Sequence, residues 1–206
     1  MGNIPVQYIG YGAAGAMAVC FIIFIWSFIL CILKAKKTEF EGKKNTVIVS
    51  AGCIVVALAS WGFNLGWLRF VMTLLSVPFI YCSIFFIVNI VAGKYKKDCA
   101  ILKWCNILYC ATFVVANVLY PDVSGTVSGV GDTYFLFGLV KNHPCIPTVQ
   151  TVAEVVLVIH ALLFVVQLVL VGMAKNTETK EVVAKNITET VAEDTTETAE
   201  DTEEVN

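Results

Sequence analysis

Two ionisable side chains, Glu154 and His160, lie within the mostly apolar stretch 148–173. Inside a membrane, a carboxylate or an imidazole is a group that can relay protons or bind cations, because a charge in lipid is costly and is kept beside a cavity or a partner. Their spacing of six residues turns one about 120° from the other on a helix, so they do not form a direct acid–base pair. The alternative is structural: a neutral His160 that hydrogen-bonds Asn106 or Asn117.

Polar side chains also recur on one face of the preceding stretch. Alternating spacings of three and four residues place the following on a shared helical face: Cys99, Lys103, Asn106, Cys110, Phe113, Asn117 and Tyr120. Two amides on one face predict either a hydrogen-bonded seam with a neighbouring helix, such as one carrying Asn89, or the lining of a polar path. Ala153, His160 and Gln167 follow a heptad on a further face. The candidate intramembrane site residues are Glu154, His160, Gln167, Asn106 and Asn117.

Signatures of catalysis, cofactor binding and metal binding are missing from the sequence. No phosphate-binding glycine loop, HExxH motif or GxSxG motif occurs. None of the eight cysteines forms a CxxC pair, and His143 with Cys145 supplies only two metal ligands. We therefore expect no catalytic, cofactor-binding or metal-binding residues, and a protein that is not an enzyme.

Five long apolar stretches make up most of the chain: 8–33, 46–66, 70–92, 102–120 and 148–173. A helix needs about 20 apolar residues to cross the hydrocarbon of a bilayer, and each stretch reaches or approaches that length. Hydrophobic residues are 58% of the chain and charged residues 15%. Soluble domains have roughly 45–50% and 25%. The sequence predicts an all-α integral membrane domain over 1–174, a bundle of five transmembrane helices.

Local signals predict where these helices bend and touch. Gly62, Asn64 and Gly66 favour a turn between the second and third stretches. Pro78 lacks a backbone N–H and predicts a kink in the third. Small residues of the second stretch predict close contact with neighbouring helices: Ala51, Gly52, Ala57, Ala59 and Ser60.

Lysine is distributed unevenly among the connecting segments. Twelve lysines follow the first, third and fifth stretches, whereas the opposite side carries only Arg69 and Lys141. Segments rich in Lys and Arg stay in the cytoplasm. The sequence therefore predicts a multi-pass protein of the cell membrane, with its N-terminus outside and its C-terminus cytoplasmic.

Two segments lie outside the predicted helices. The outer loop 121–147 includes 133–140, which is mostly apolar and too short to cross, so we expect it to lie in the interface or to cover helix ends. Loops on a rigid scaffold often carry contacts, which makes 121–147 the main candidate recognition surface. The segment 175–206 holds ten acidic residues and three lysines. We expect a disordered, acidic, low-complexity tail that does not attract nucleic acid.

Two classes of function fit these features. The first is a non-enzymatic accessory or partner-binding membrane component, surrounded by the lipid bilayer and contacting another membrane protein or a second copy of itself. The second is a small oligomeric transporter or channel that uses the polar residues of spans four and five. Inverted repeats and matching broken helices are missing, which favours the first class.

Overall fold

The chain folds as a bundle of helices with a small β-sheet at one end. The structure is a computed structural model that describes residues 6–97, 99–123 and 132–200. The helices are α1 (Val6–Lys37), α2 (Lys43–Phe63), α3 (Trp67–Leu74), α4 (Val77–Tyr95), α5 (Ala100–Leu119) and α6 (Ile146–Glu200). Strands β1 (Asp122–Val123), β2 (Thr133–Phe135) and β3 (Val140–Lys141) pair antiparallel in that order. The helical class is as predicted, and the sheet within the predicted outer loop is an addition to it.

Four of the described helical segments are long and apolar enough to cross a membrane. They are α2, α4, α5 and the part of α6 from Ile146 to Ala184. Large apolar side chains cover the surface of the bundle, as with Val158 and Leu162 of α6. These features suit a membrane protein, because lipid tails are as apolar as leucine. The first predicted span, 8–33, lies within α1, and a fifth crossing stays a prediction.

The predicted third span, 70–92, is two helices instead of one. α3 ends at Leu74 and α4 begins at Val77, with Ser76 between them in the left-handed backbone conformation at φ 62°. Pro78 lies in the first turn of α4, where a missing N–H is tolerated. In a continuous helix its ring would collide with the carbonyl of Leu74. The predicted kink is therefore a complete break, and α3 is a short helix beside the sheet.

The core centres on α4, which packs against α1, α2, α5 and α6. Phe85 of α4 is fully buried and stacks on Phe113 of α5, with ring centroids 3.8 Å apart. Tyr109, one turn earlier on α5, stacks on the same ring at 5.3 Å. Such pairs add about 0.5–1.5 kcal/mol each beyond the area they bury. Aromatic packing therefore fixes α5 against the centre of the bundle.

The small residues of α2 contribute unequally to packing. Ala57 and Ser60 are buried, and the Ser60 hydroxyl donates to the carbonyl of Asn117 on α5 at 2.8 Å. Gly52 faces outward, and a Cβ added there would meet no atom within 4 Å. The predicted close approach is therefore found at Ala57 and Ser60 but not at Gly52.

α6 continues past the predicted fifth span as far as Glu200. The predicted disorder of the tail is therefore not confirmed: residues 175–200 are helical, and 201–206 lie outside the described residues. The Ala, Glu and Lys residues of 175–200 are strong helix formers, whereas Thr, the commonest residue there, is a weak one. Lys94 of α4 also forms an ion pair with Glu178 at 2.8 Å, a surface contact that adds little to stability.

Candidate functional site

The five candidate residues do not share one set of contacts. Asn106 and Asn117 lie on α5, whereas Glu154, His160 and Gln167 lie on α6. Asn106, His160 and Gln167 are buried, and Glu154 is exposed. The structure thus places two of the α6 residues in the helix interface and the third on the surface.

Asn106 forms the seam that the sequence predicted between α5 and α4. Its side-chain amide donates to Asn89 Oδ1 at 2.5 Å, and the Cys110 thiol lies 3.3 Å from the same oxygen. Asn89 in turn donates to the carbonyl of Phe85 on its own helix at 2.8 Å. Both amides are buried, so each supplies the partner that the other needs. This arrangement holds two helices together and leaves Asn106 no evident role in a polar path.

His160 contacts the middle of α5. Its ring stacks on Tyr109 with centroids 4.3 Å apart and planes 7° from parallel, and its Nδ1 lies 3.1 Å from Thr112 Oγ1. The predicted partners, Asn106 and Asn117, are therefore wrong. The reason is geometric: α6 runs antiparallel to α5, which brings His160 level with residues 109–112 of α5, between the two asparagines.

Gln167 lies seven residues further along the same face of α6. Among the described side chains of α6, the buried ones are Ala153, His160 and Gln167, which confirms the predicted heptad face. Both atoms of the Gln167 amide lack a hydrogen-bond partner among the described residues, as does Nε2 of His160. A buried, unpartnered amide costs free energy, so Gln167 requires an explanation.

The remaining two candidates lie elsewhere. Glu154 is exposed and accepts a hydrogen bond from Gln150 at 2.9 Å, one turn before it. The Asn117 amide donates to the carbonyl of Phe113 on its own helix at 2.8 Å. Its backbone carbonyl has the more important role, because it accepts from the Arg69 guanidinium at 3.2 Å.

Arg69 of α3 is the main polar residue that the sequence reasoning underrated. Its side chain is only 2% exposed. The guanidinium donates to the carbonyls of Ser60 at 2.7 Å, Tyr120 at 2.6 Å and Asn117, and it lies 5.2 Å from the ring centroid of Trp61. Arg69 therefore ties together α2, α3 and the end of α5.

Asp122 is the buried counterpart of Arg69. It is 4% exposed, and its carboxylate accepts from the backbone N–H groups of Gly66 at 3.1 Å, Leu68 at 3.3 Å and Arg69 at 2.8 Å. These N–H groups lie at the N-terminus of α3, where a negative charge complements the helix dipole. A Cβ added to Gly66 would lie 2.6 Å from the Asp122 Cγ, so only glycine fits. We name Arg69 and Asp122 the buried charge cluster.

The sheet and the turn that joins β2 to β3, together the sheet cap, cover the end of α2. The turn holds Leu136 at φ 53° and Phe137 at φ 59°, a conformation that costs bulky residues about 1–3 kcal/mol each. Gly138 follows at φ 74°, and its N–H donates to Asn64 Oδ1 on the loop after α2. A Cβ added there would lie 3.1 Å from the carbonyl of Phe63. The contacts around the turn hold this strained backbone in place.

An ion pair closes the far edge of the sheet cap. Lys141 of β3 lies 2.7 Å from Asp132, which also accepts from Asn142 at 2.7 Å. The hydrogen bond from Lys141 lowers the pKa of Asp132, and the same bond raises the pKa of Lys141. Both side chains are exposed, so water screens the pair and it adds little to stability.

Among the residues that the structure describes, no three His, Cys, Asp or Glu side chains lie close enough to hold a metal ion. His143 Nδ1 does lie 2.9 Å from the Cys145 thiol, but that pair alone does not complete a coordination sphere. Comparison of the chain with protein-family models, with curated proteins and with solved structures found no match.

Proposed function

We propose that this chain is a non-enzymatic component of the cell membrane that recognises another membrane protein through its sheet cap. Five helices cross the bilayer, with the N-terminus and the sheet cap outside and the C-terminus in the cytoplasm. The lysine distribution supports this orientation, because twelve lysines lie on the predicted cytoplasmic side. The observation that carries the proposal is that the cap is a fixed surface, held by the buried charge cluster and by the bond from Gly138 to Asn64.

The exposed residues of the sheet cap fit a contact surface. Leu139 is 79% exposed at the tip of the turn, and Val123 of β1 is 46% exposed. The ion pair of Asp132 and Lys141 adds a polar edge to the same sheet. Exposed apolar side chains together with a polar edge are compatible with a protein–protein interface. Backbone strain at Leu136 and Phe137 also supports a function, because strain of this kind concentrates at binding sites.

The first test is site-specific photo-crosslinking in intact cells. A photoreactive phenylalanine analogue at Leu139 should give one discrete adduct, because this side chain is 79% exposed at the tip of the turn. The matched control is the same analogue at Leu162, which is 62% exposed on the apolar face of α6 and should give none. An adduct of two 22.5 kDa chains would identify a second copy as the partner. Adducts from Leu162 and none from Leu139 would contradict the proposal.

A transporter or channel is the second candidate, and Gln167 is the observation that favours it. Its amide is fully buried with no partner among the described residues, seven residues from His160. Buried polar groups within membrane helices often mark a pathway for ions. The exposed position of Glu154 and the seam of Asn106 with Asn89 weigh against such a pathway.

Gln167→Leu separates these two candidates. If Gln167 only packs α6 against α5, the substitution should stabilise the protein by about 1–3 kcal/mol, because it removes an unpartnered buried amide. The measurement is unfolding in detergent micelles, with the exposed Gln150→Leu as a control of little effect. Proton flux into proteoliposomes, read with a pH-sensitive dye, gives the opposite test. Flux that the wild type supports and Gln167→Leu abolishes would establish transport.

A further inference from the structure

A cavity of about 300 Å³ lies beside the buried charge cluster. Its apolar lining comes from α2, α3, α4, α5 and α6: Trp61, Met72, Val77, Pro78, Ala116 and Leu157. The volume is at the lower end of the roughly 300–1,000 Å³ that small-molecule sites occupy. Val77 and Leu157 are partly exposed on the surface of the bundle, so the cavity opens where lipid tails would contact the protein.

Two residues that line this cavity, Arg69 and Tyr81, each carry a hydrogen-bond donor with no partner among the described residues. Arg69 uses the terminal nitrogens of its guanidinium to bind carbonyls, but its Nε–H is buried and unpartnered. The Tyr81 hydroxyl is likewise buried without a partner. Native proteins pair the great majority of buried donors. A molecule with acceptor oxygens in this cavity would pair both donors once the Arg69 and Tyr81 side chains turn toward it.

We propose that this cavity binds the acyl chain of a lipid, whose carboxylate or ester oxygens accept from Arg69 and Tyr81. An apolar chain matches the lining, and a group with two oxygens matches the two donors. The source of the chain is thus a phospholipid of the bilayer or a free fatty acid. This site does not depend on the partner of the sheet cap.

Quenching of Trp61 fluorescence by brominated lipids tests the proposal. Trp26, Trp67 and Trp104 are all exposed and can be replaced by Phe, which leaves Trp61 in the cavity wall as the sole reporter. The probes are dibromostearic acid, a dibrominated phosphatidylcholine and dibromo-octadecane, which has no oxygen. We expect saturable quenching by at least one of the two probes that carry oxygen. Saturation by the fatty acid alone, or by the phospholipid alone, identifies the source.

Two substitutions connect that quenching to the cavity. Tyr81→Phe should weaken binding about three- to tenfold, the effect of one hydrogen bond, and should leave the fold intact because the hydroxyl has no protein partner. Val77→Phe should fill the cavity and abolish saturable quenching, whereas its control Val158→Phe, on the outward face of α6, should leave it unchanged. Equal saturation by dibromo-octadecane, unchanged binding in Tyr81→Phe, or quenching that never saturates would overturn the proposal.

Discussion

Asp122→Ala should destabilise the protein by about 3–5 kcal/mol, because three backbone N–H groups lose a charged acceptor and each such loss costs about 1–3 kcal/mol. The substitution leaves the N–H groups of Gly66, Leu68 and Arg69 without their acceptor. It also leaves the Arg69 guanidinium, 2% exposed, without the nearby negative charge. The measurement is the free energy of unfolding in detergent micelles.

Asp132→Ala is the matched control, because Asp132 is a carboxylate of the same sheet cap with an exposed ion pair. The free energy of unfolding of Asp132→Ala should equal that of the wild type. Gly66→Ala should disturb the buried charge cluster by a steric clash, since its Cβ would lie 2.5 Å from the carbonyl of Val123. It should therefore be destabilised as well, whereas Gly52→Ala, with open space around it, should not be. Equal stability of Asp122→Ala and Asp132→Ala would show that the cluster does not hold the cap.

The features that the sequence predicted correctly either follow a helical period or are required because a buried amide needs a hydrogen-bond partner. Ala153, His160 and Gln167 repeat every seven residues, and all three are buried on α6. Asn106 and Asn89 lie in apolar stretches, where a buried amide needs a partner, and they bond each other. Periodicity fixes which face of a helix is buried, and the rarity of amides in such stretches narrows the choice of partner.

The features that sequence missed depend on contacts between distant segments. Arg69 and Asp122 lie 53 residues apart. Nothing in their spacing indicates that the Asp122 carboxylate accepts hydrogen bonds from the N-terminal N–H groups of α3. Both do fall on the same predicted side of the membrane, which is the signal that could have suggested the pair. Thr112 was missed as the partner of His160 because it is not on the helical face of α5 that carries Asn106 and Asn117. The strands of the sheet cap have two or three residues each, too few to show alternation.

When intact cells are treated from outside with a thiol reagent, each of two native cysteines, Cys145 and Cys99, should be either modified or unmodified. The reason is that the bilayer either separates a thiol from the reagent or does not. Cys145 lies beside the sheet cap, directly before α6, and Cys99 lies directly before α5 at the lysine-rich end. Both are partly exposed, so they are matched in accessibility within the protein. A membrane-impermeant maleimide, with the modified residues located by peptide mass spectrometry, compares the two thiols in one unmutated chain.

The orientation of the helices in the bilayer is the claim on which the cap's role as an outward recognition surface depends. With an outer sheet cap and cytoplasmic lysines, intact cells should show modification of Cys145 and none of Cys99, and permeabilised cells should show both. Modification of Cys99 in intact cells, with Cys145 protected until the cells are permeabilised, would place the sheet cap in the cytoplasm and contradict the account.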